Sequence, residues 1–510
     1  MIVQSLPIER IETGIPGLDN ILNGGLPKGR STLVAGTSGS AKTVFAAQFI
    51  AEGIKQRAET GVFVTFEESP EDLRRNMLAV GWSISDWENE KKWMFVDASP
   101  RGKDRAVVTG DYDFGALLAR IEHAVRSTDA KRVALDSLGA VFLQFGQTET
   151  VRSELLRLTE GLKAMGVTSV ITVERTHEYG SISRHEVEEF VTDNVIILRN
   201  TLELEKRRRT VEILKLRGCE HSKGEFPFTV LPGQGIVAVP LSAIELKQKS
   251  SDLRVSSGNA ELDRMCDGGF FRDSVILVSG ATGTGKTLMV TEFMSGGARQ
   301  KERCVLFAFE ESREQLFRNA RGWGVDFEGL ETAGLLKVVC IYPEVKGLEE
   351  HLIAIKEIIL DFKPSRVAVD SLSALERVST IKGFREFVIG LTSFIKHQEV
   401  VGLFTAATPT LMGGTSITEA HISTITDSII LLRYIEMYGE MRRGLTVLKM
   451  RGSKHDKDIR ECTIDGKGLH IGKAFRTVTG ILTGQPTYMD FSDIERLETS
   501  FSESDGAREH

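Results

Sequence analysis

Gly280-Ala-Thr-Gly-Thr-Gly285-Lys286-Thr287 fits the pattern G-x-x-x-x-G-K-[ST] at every fixed position. The apolar run Val275-Ile-Leu-Val-Ser precedes it and reads as a buried strand. Leu288-Met-Val-Thr-Glu-Phe-Met follows and reads as the start of a helix. Strand, loop and helix in that order make a phosphate site rather than a chance glycine-rich turn. Backbone N–H groups of Thr282, Gly283, Thr284 and Gly285 would close around the phosphates at the positive end of the helix dipole. Lys286 would reach the outer phosphates, and the Thr287 hydroxyl would ligate Mg²⁺. ATP and Mg²⁺ are therefore the expected ligands.

The stretch has a twin. Gly36-Thr-Ser-Gly39-Ser40-Ala41-Lys42-Thr43 stands at the same place in an earlier copy. Other landmarks recur in the same order. Phe63-Val-Thr-Phe-Glu67-Glu68-Ser69 returns as Leu306-Phe-Ala-Phe-Glu310-Glu311-Ser312, and Arg132-Val-Ala-Leu-Asp136 returns as Arg366-Val-Ala-Val-Asp370. Leu214-Lys215-Leu216-Arg217 returns as Leu448-Lys449-Met450-Arg451. The chain is a tandem duplication. The expected divisions are 1–246, 247–486 and an acidic, hydroxyl-rich tail at 487–510. In each copy, short apolar runs alternate with amphipathic segments such as Glu154-Leu-Leu-Arg-Leu-Thr-Glu-Gly-Leu-Lys. That alternation predicts an α/β fold with a mostly parallel sheet covered by helices on both faces.

The 510 residues are 41% hydrophobic and 26% charged, ordinary globular material, with a net charge of −7. The acidity disfavours broad nucleic-acid binding, so a DNA-dependent motor on the same fold is the weaker reading. A nucleotide-gated scaffold without enzymatic activity is the third. The five cysteines form no C-x-x-C and suggest neither zinc nor a disulfide framework. No apolar run approaches membrane-spanning length, and the first residues lack a leader pattern, so the cytoplasm is the expected compartment.

Asp136 and Asp370 end apolar strands and are expected to hold Mg²⁺ through water, although either could instead cap a helix. The pairs Glu67–Glu68 and Glu310–Glu311 also follow apolar strands. Hydrolysis or phosphoryl transfer needs a carboxylate to orient or deprotonate the nucleophile. Adjacent residues on an extended segment point to opposite faces, so one of each pair is expected to face the nucleotide. Lys215 with Arg217, and Lys449 with Arg451, fall two apart on candidate strands and share a face. That face is either solvent-exposed or turned to a neighbouring subunit's phosphates. Lys206-Arg-Arg-Arg209 and Arg442-Arg443, near predicted turns, read as solvated hairpins rather than nucleic-acid patches. Trp82 and Trp323 each follow a glycine; a ring there could stack on adenine or be structural.

The copies also differ. Aligned on Asp193 and Asp427, Ser423 and Thr424 of the second copy stand where the first has Glu189 and Phe190. If one copy phosphorylates the protein itself, it is the second. Ala41 replaces the glycine before Lys42, and its Cβ either needs a compatible φ or crowds the phosphates.

These motifs resemble the KaiC family of circadian clock ATPases and autokinases, through about Gln485. The likeness rests on Thr65-Phe-Glu-Glu-Ser-Pro, Val187-Glu-Glu-Phe-Val-Thr-Asp-Asn-Val, Val255-Ser-Ser-Gly, the second phosphate loop, His421-Ile-Ser-Thr-Ile-Thr-Asp and Lys449-Met-Arg-Gly-Ser. The resemblance implies two RecA-like domains and a homohexamer with ATP between subunits. It implies slow ATP hydrolysis in the first domain with Glu67 activating water, and autophosphorylation in the second on Ser423 and Thr424. Glu310 would be the general base and would also lie at the metal, and Thr418 is a further hydroxyl of that segment. Lys215, Leu216, Arg217 and His221 would meet nucleotide in one ring. Trp323, Arg443, Lys449, Met450 and Arg451 would do so in the other. Phosphate would also be returned to ADP. A KaiB-like partner would bind the first ring. The family's KaiA partner binds a C-terminal tail that Ile494-Glu-Arg-Leu-Glu-Thr-Ser-Phe-Ser-Glu-Ser does not match, so the likeness does not extend to KaiA regulation.

Overall fold

A computed structural model describes residues 8–99, 114–142, 148–181, 191–203, 205–239, 250–408, 422–437, 439–476, 478–481 and 487–488. The chain divides into two compact units, Met1–Ala243 and Ile244–His510. The boundary expected at 246–247 and most of the tail lie outside the described residues, as does Thr418.

The first unit carries a nine-stranded sheet. Its strands are β1 (Ser31–Gly36), β2 (Gly61–Thr65), β3 (Trp93–Asp97), β4 (Arg132–Asp136), β5 (Thr168–Glu174), β6 (Asn194–Glu203), β7 (Lys206–Leu216), β8 (Glu225–Leu231) and β9 (Gly235–Ala238). They lie side by side as β3-β2-β4-β5-β1-β6-β7-β8-β9. The block from β3 to β6 is parallel, and β7, β8 and β9 extend it antiparallel.

The second unit repeats this plan. Its strands are β10 (Val275–Gly280), β11 (Cys304–Ala308), β12 (Leu336–Cys340), β13 (Arg366–Asp370), β14 (Val401–Ala407), β15 (Ser428–Met437), β16 (Glu440–Met450), β17 (Arg460–Asp465) and β18 (Gly468–Ala474). Their order, β12-β11-β13-β14-β10-β15-β16-β17-β18, matches the first strand for strand.

Alternation along the central strands explains the layers. Val34, Phe63, Ala134, Val170 and Ile196 pack into one core with Phe45, Phe49 and Ile50 of the helix Lys42–Arg57. Their neighbours Leu33, Ala35, Val62, Val133 and Ile171 face a second core built with the helices Phe114–Thr128 and Thr148–Ala164. A strand buried on both faces must be apolar throughout, and so these strands read as continuous runs.

One arginine in each unit is buried with a full set of partners. Arg132 pairs with Glu59 at 2.6 Å and donates to Phe49 O and Glu12 O, both at 2.9 Å. Arg366 pairs with Glu302 at 2.6 Å and donates to Ser256 O at 2.6 Å and Phe293 O at 3.1 Å. Each guanidinium fastens the segment entering its unit to the helix after the phosphate loop and to the sheet. Planar, multidirectional donation suits arginine to that place.

Candidate active sites

In an open parallel sheet, ligands gather at the carboxyl ends of the strands. Here β1 delivers the first phosphate loop, with β4 (Asp136) and the β2 exit (Glu67, Glu68) beside it. Lys42 folds back and donates from Nζ to Gly36 O and Thr37 O, both at 2.8 Å. Burial lowers its pKa, against the raising influence of Glu174, Asp136 and Glu67. Ser40 Oγ donates to Thr37 O at 2.7 Å, and Arg209 Nε donates to Gly39 O at 3.1 Å. Thr37 Oγ1 donates to Glu178 Oε1 at 2.6 Å.

Ala41 takes the left-handed backbone, φ 71°, and its side chain packs against the core. The methyl is thus accommodated by φ. Its counterpart Gly285 has φ 109°, where a Cβ would come within 3.0 Å of Ile464 Cδ1.

Asp136 accepts from the hydroxyls of Thr172 and Thr43. Burial raises its pKa, opposed by those two bonds and by Lys42. A hydroxyl beside a carboxylate fits Mg²⁺, which takes few protein oxygens and keeps several waters. When bound, the ion would neutralise phosphate charge.

Glu67 and Glu68 sit between β2 and the helix Pro70–Leu78, whose N-cap Ser69 accepts from Asp72 N. The cap fixes the short connection. Glu67 accepts from Ser137 Oγ at 3.4 Å, and Glu68 accepts from Asn76 Nδ2 at 3.0 Å. Their partners differ, but both line the cleft. Burial, then Asp136 and Glu174, raises the pKa of Glu67. The cleft has a volume of about 300 Å³ and also includes Ser38, Gly39, Lys42, Thr43, Asp136 and Glu174. That lies at the small end for ligand pockets.

The second site repeats the parts. Lys286 Nζ donates to Gly280 O at 2.8 Å and Ala281 O at 2.9 Å. Thr284 Oγ1 donates to Ala281 O at 2.8 Å, and Arg443 Nε reaches Gly283 O at 3.3 Å. Asp370 accepts from Thr405 and Thr287. Glu311 accepts from Asn319 at 3.2 Å. Glu310 accepts from Ser371 Oγ at 2.9 Å and from Arg377 Nη2 at 2.7 Å. The Asp136–Ser137 and Asp370–Ser371 peptide bonds are both cis.

The Lys–Arg pairs do not simply project outward. Pairing slips between Val195 and Ile196 opposite β7, and between Ile429 and Ile430 opposite β16, leaving Leu214 and Leu448 as extra residues. Such a bulge re-aims the side chains beyond it. Lys449 Nζ donates to Ser423 O at 2.6 Å and Thr426 O at 2.8 Å, and Arg451 Nη2 donates to Thr424 O at 2.6 Å. Lys215 Nζ donates to Thr192 O at 2.7 Å, and Arg217 lies 3.4 Å from Asp193. Leu216 and Met450 are buried, and His221 Nδ1 is 3.0 Å from Ser222 O.

Of the two roles open to the tryptophans, Trp82, 1% exposed inside the first core, takes the structural one; Trp323 is half-buried against the second core. The basic runs are not merely solvated hairpins, since Arg209 and Arg443 reach the phosphate loops. Neither Glu174 nor Arg377 stands out in the sequence. Glu174 could have been found as the one charged residue closing the run Thr168–Glu174; Arg377 had no such signal.

Among the described residues, no group of side chains has the makings of a metal-cluster site, and no helix is long and apolar enough to cross a membrane. The family model for the KaiC ATPase matches residues 11–243 and again 255–475. The chain is 68% identical to the circadian clock protein KaiC3 of a Synechocystis species, over 97% of this chain and 98% of that protein. It is 56% identical to the circadian clock oscillator protein KaiC of Thermostichus vulcanus, over 97% and 95%. It is 54% identical to the KaiC of Prochlorococcus marinus, over 94% and 96%. Two phosphate loops on two matching RecA-like sheets, and relatives aligned almost end to end, lead to one conclusion: the chain belongs to the KaiC family of ATPases.

Proposed function

We propose that this protein is a homohexameric, Mg²⁺-dependent ATPase and serine/threonine autokinase serving as the core of a cytoplasmic KaiC-type timing system. ATP lies between subunits. The first domain hydrolyses it, with Glu67 activating water. The second transfers the γ-phosphoryl group to Ser423 and Thr424 of a neighbour, with Glu310 taking the hydroxyl proton, and can return phosphate to ADP. Thr418 belongs to the same acceptor segment. Lys215, Leu216, Arg217 and His221, and in the second ring Trp323, Arg443, Lys449, Met450 and Arg451, complete the nucleotide sites across the interface. A KaiB-like protein on the first ring is the expected partner.

The observation that carries this reading is the turn at residues 422–426. Lys449 and Arg451 hold its carbonyls, and Ser423 is half-buried and Thr424 exposed. A hydroxyl pair fixed by its backbone, with its side chains uncommitted to a core, suits an acceptor. Mass-spectrometric phosphosite mapping after incubation with Mg·ATP tests it, with Glu310→Gln alongside. Phosphate on Ser423 or Thr424 in the parent, lost in the variant, is the expected result. ADP release without phosphate at either position would overturn the autokinase half.

A further inference from the structure

The two clefts differ at one strand end that the shared parts do not explain. In the first unit β5 ends in Glu174, in register with Gly36, and Arg175 N donates to Gly36 O at 3.0 Å. In the second unit β14 ends in Ala407, in register with Gly280, and Thr408 N donates to Gly280 O at 3.1 Å. The backbone places are the same, so a carboxylate in one site stands where the other has a methyl. The surroundings agree with the exchange. Ser373 Oγ accepts from Ala407 N at 2.8 Å. The corresponding position of the first unit is Gly139, where an added Cβ would stand 3.8 Å from Glu174 Cβ. Glu174 is exposed at the end of an otherwise buried strand and lines the cleft with Lys42, Glu67, Asp136 and Ser137.

A carboxylate beside the phosphate loop repels the substrate's own charge, so its place calls for a compensating task. The two nucleophiles suggest one. A serine or threonine hydroxyl has a single hydrogen, which one carboxylate can accept. A water has two hydrogens and is oriented only when both find acceptors, which leaves a lone pair to aim. The geometry points to Glu174 as a second water-holding carboxylate that acts with Glu67 to orient the attacking water and commit the first site to hydrolysis. The water oxygen bonds to the γ-phosphorus, and the bond to the bridging oxygen breaks with its electron pair staying on ADP. The water's proton passes to Glu67 and then to solvent. This rests on the first domain being the hydrolase.

The test uses the full-length protein and its Glu174→Gln, Glu174→Ala and Glu67→Gln variants. Phosphate release is measured against ATP concentration, and Ser423 and Thr424 occupancy is measured in the same samples. Loss of one of the water's two acceptors should lower kcat roughly 10-fold in Glu174→Ala, with KM unchanged or lower, since a charge facing the phosphates goes with it. The glutamine variant, which keeps one acceptor oxygen and the shape, should fall between. Unchanged kcat in both Glu174 variants, with hydrolysis lost in Glu67→Gln, would overturn the assignment alone. A raised KM at unchanged kcat would also overturn it, since Glu174 would then only help bind nucleotide. Hydrolysis intact in Glu67→Gln would bring down the reading of the first domain, and Glu174 with it.

Discussion

The two nucleotide sites are built from the same set of parts and, the Ala41–Gly285 exchange in the loop aside, differ chiefly around the nucleophile. In both, the loop lysine binds the first two carbonyls of its own loop, a strand-end aspartate accepts from the loop threonine, and the second glutamate is held by an asparagine. The first glutamate differs. Glu67 shares its cleft with Glu174 and accepts from a serine hydroxyl at 3.4 Å, whereas Glu310 is ion-paired to Arg377. The sequence puts Leu143 at the place of Arg377. Parts that grip phosphate tolerate little change, because charge and geometry are fixed by the ligand. Parts that prepare the attacking oxygen are free to differ, and it is there that two chemistries can grow from one fold.

The largest expected effect tests whether the scaffolds are as equivalent as the sites' shared parts. Arg132→Ala and Arg366→Ala each strand a carboxylate and several carbonyls in or near a core, and each should cost about 3 kcal/mol. Denaturant unfolding of the full chain should show similar losses in both. A small loss in one would mean that the asymmetry reaches beyond the sites. Next comes Glu67→Gln, for which about 100-fold lower ATP hydrolysis is expected, with phosphorylation of Ser423 and Thr424 retained. Equal loss of both activities would erase the division of labour.

A smaller effect concerns Asp370, which would hold Mg²⁺ in the proposed reading. Burial raises the pKa of Asp370, so its ionised form is disfavoured in the fold. A raised folded-state carboxyl pKa destabilises once pH exceeds the unfolded value, and does so fully above the folded one. Asp370→Asn should therefore melt no lower than the parent at neutral pH without nucleotide, yet lose the gain in melting temperature that Mg·ATP gives. Arg377→Gln should free Glu310 and raise the initial phosphorylation rate by up to about fivefold, the worth of an exposed ion pair. A fall would assign Arg377 to the substrate instead. The smallest is Ala41→Gly, which removes a Cβ from a left-handed residue and should stabilise the first domain by about 1 kcal/mol or less.

The fold was legible because buried parallel strands must be continuously apolar and because the chain states its plan twice. The phosphate loops, the strand-end aspartates and the glutamate pairs were legible for a related reason: their chemistry demands fixed residues at short spacing. Glu174 was legible only as the charge closing an apolar run, and Arg377 not at all, since each joins its site through sheet order or the course of a helix end. The lysine–arginine pairs were half legible. Period two puts them on one face, but the bulges at Leu214 and Leu448 decide what that face meets. Arg132 and Arg366 appeared in the repeat as letters; their burial shows only when the entering segments are packed around them.

The grip of Lys449 and Arg451 on residues 422–426 addresses carbonyl oxygens alone. Every amino acid offers the same oxygen, so this holder cannot tell which side chain it carries. Serine, threonine, aspartate or a phosphorylated residue would be presented at the same point in space. Position and identity are thereby inherited separately. The residue presented can be changed, doubled or charged without rebuilding the arm that holds it.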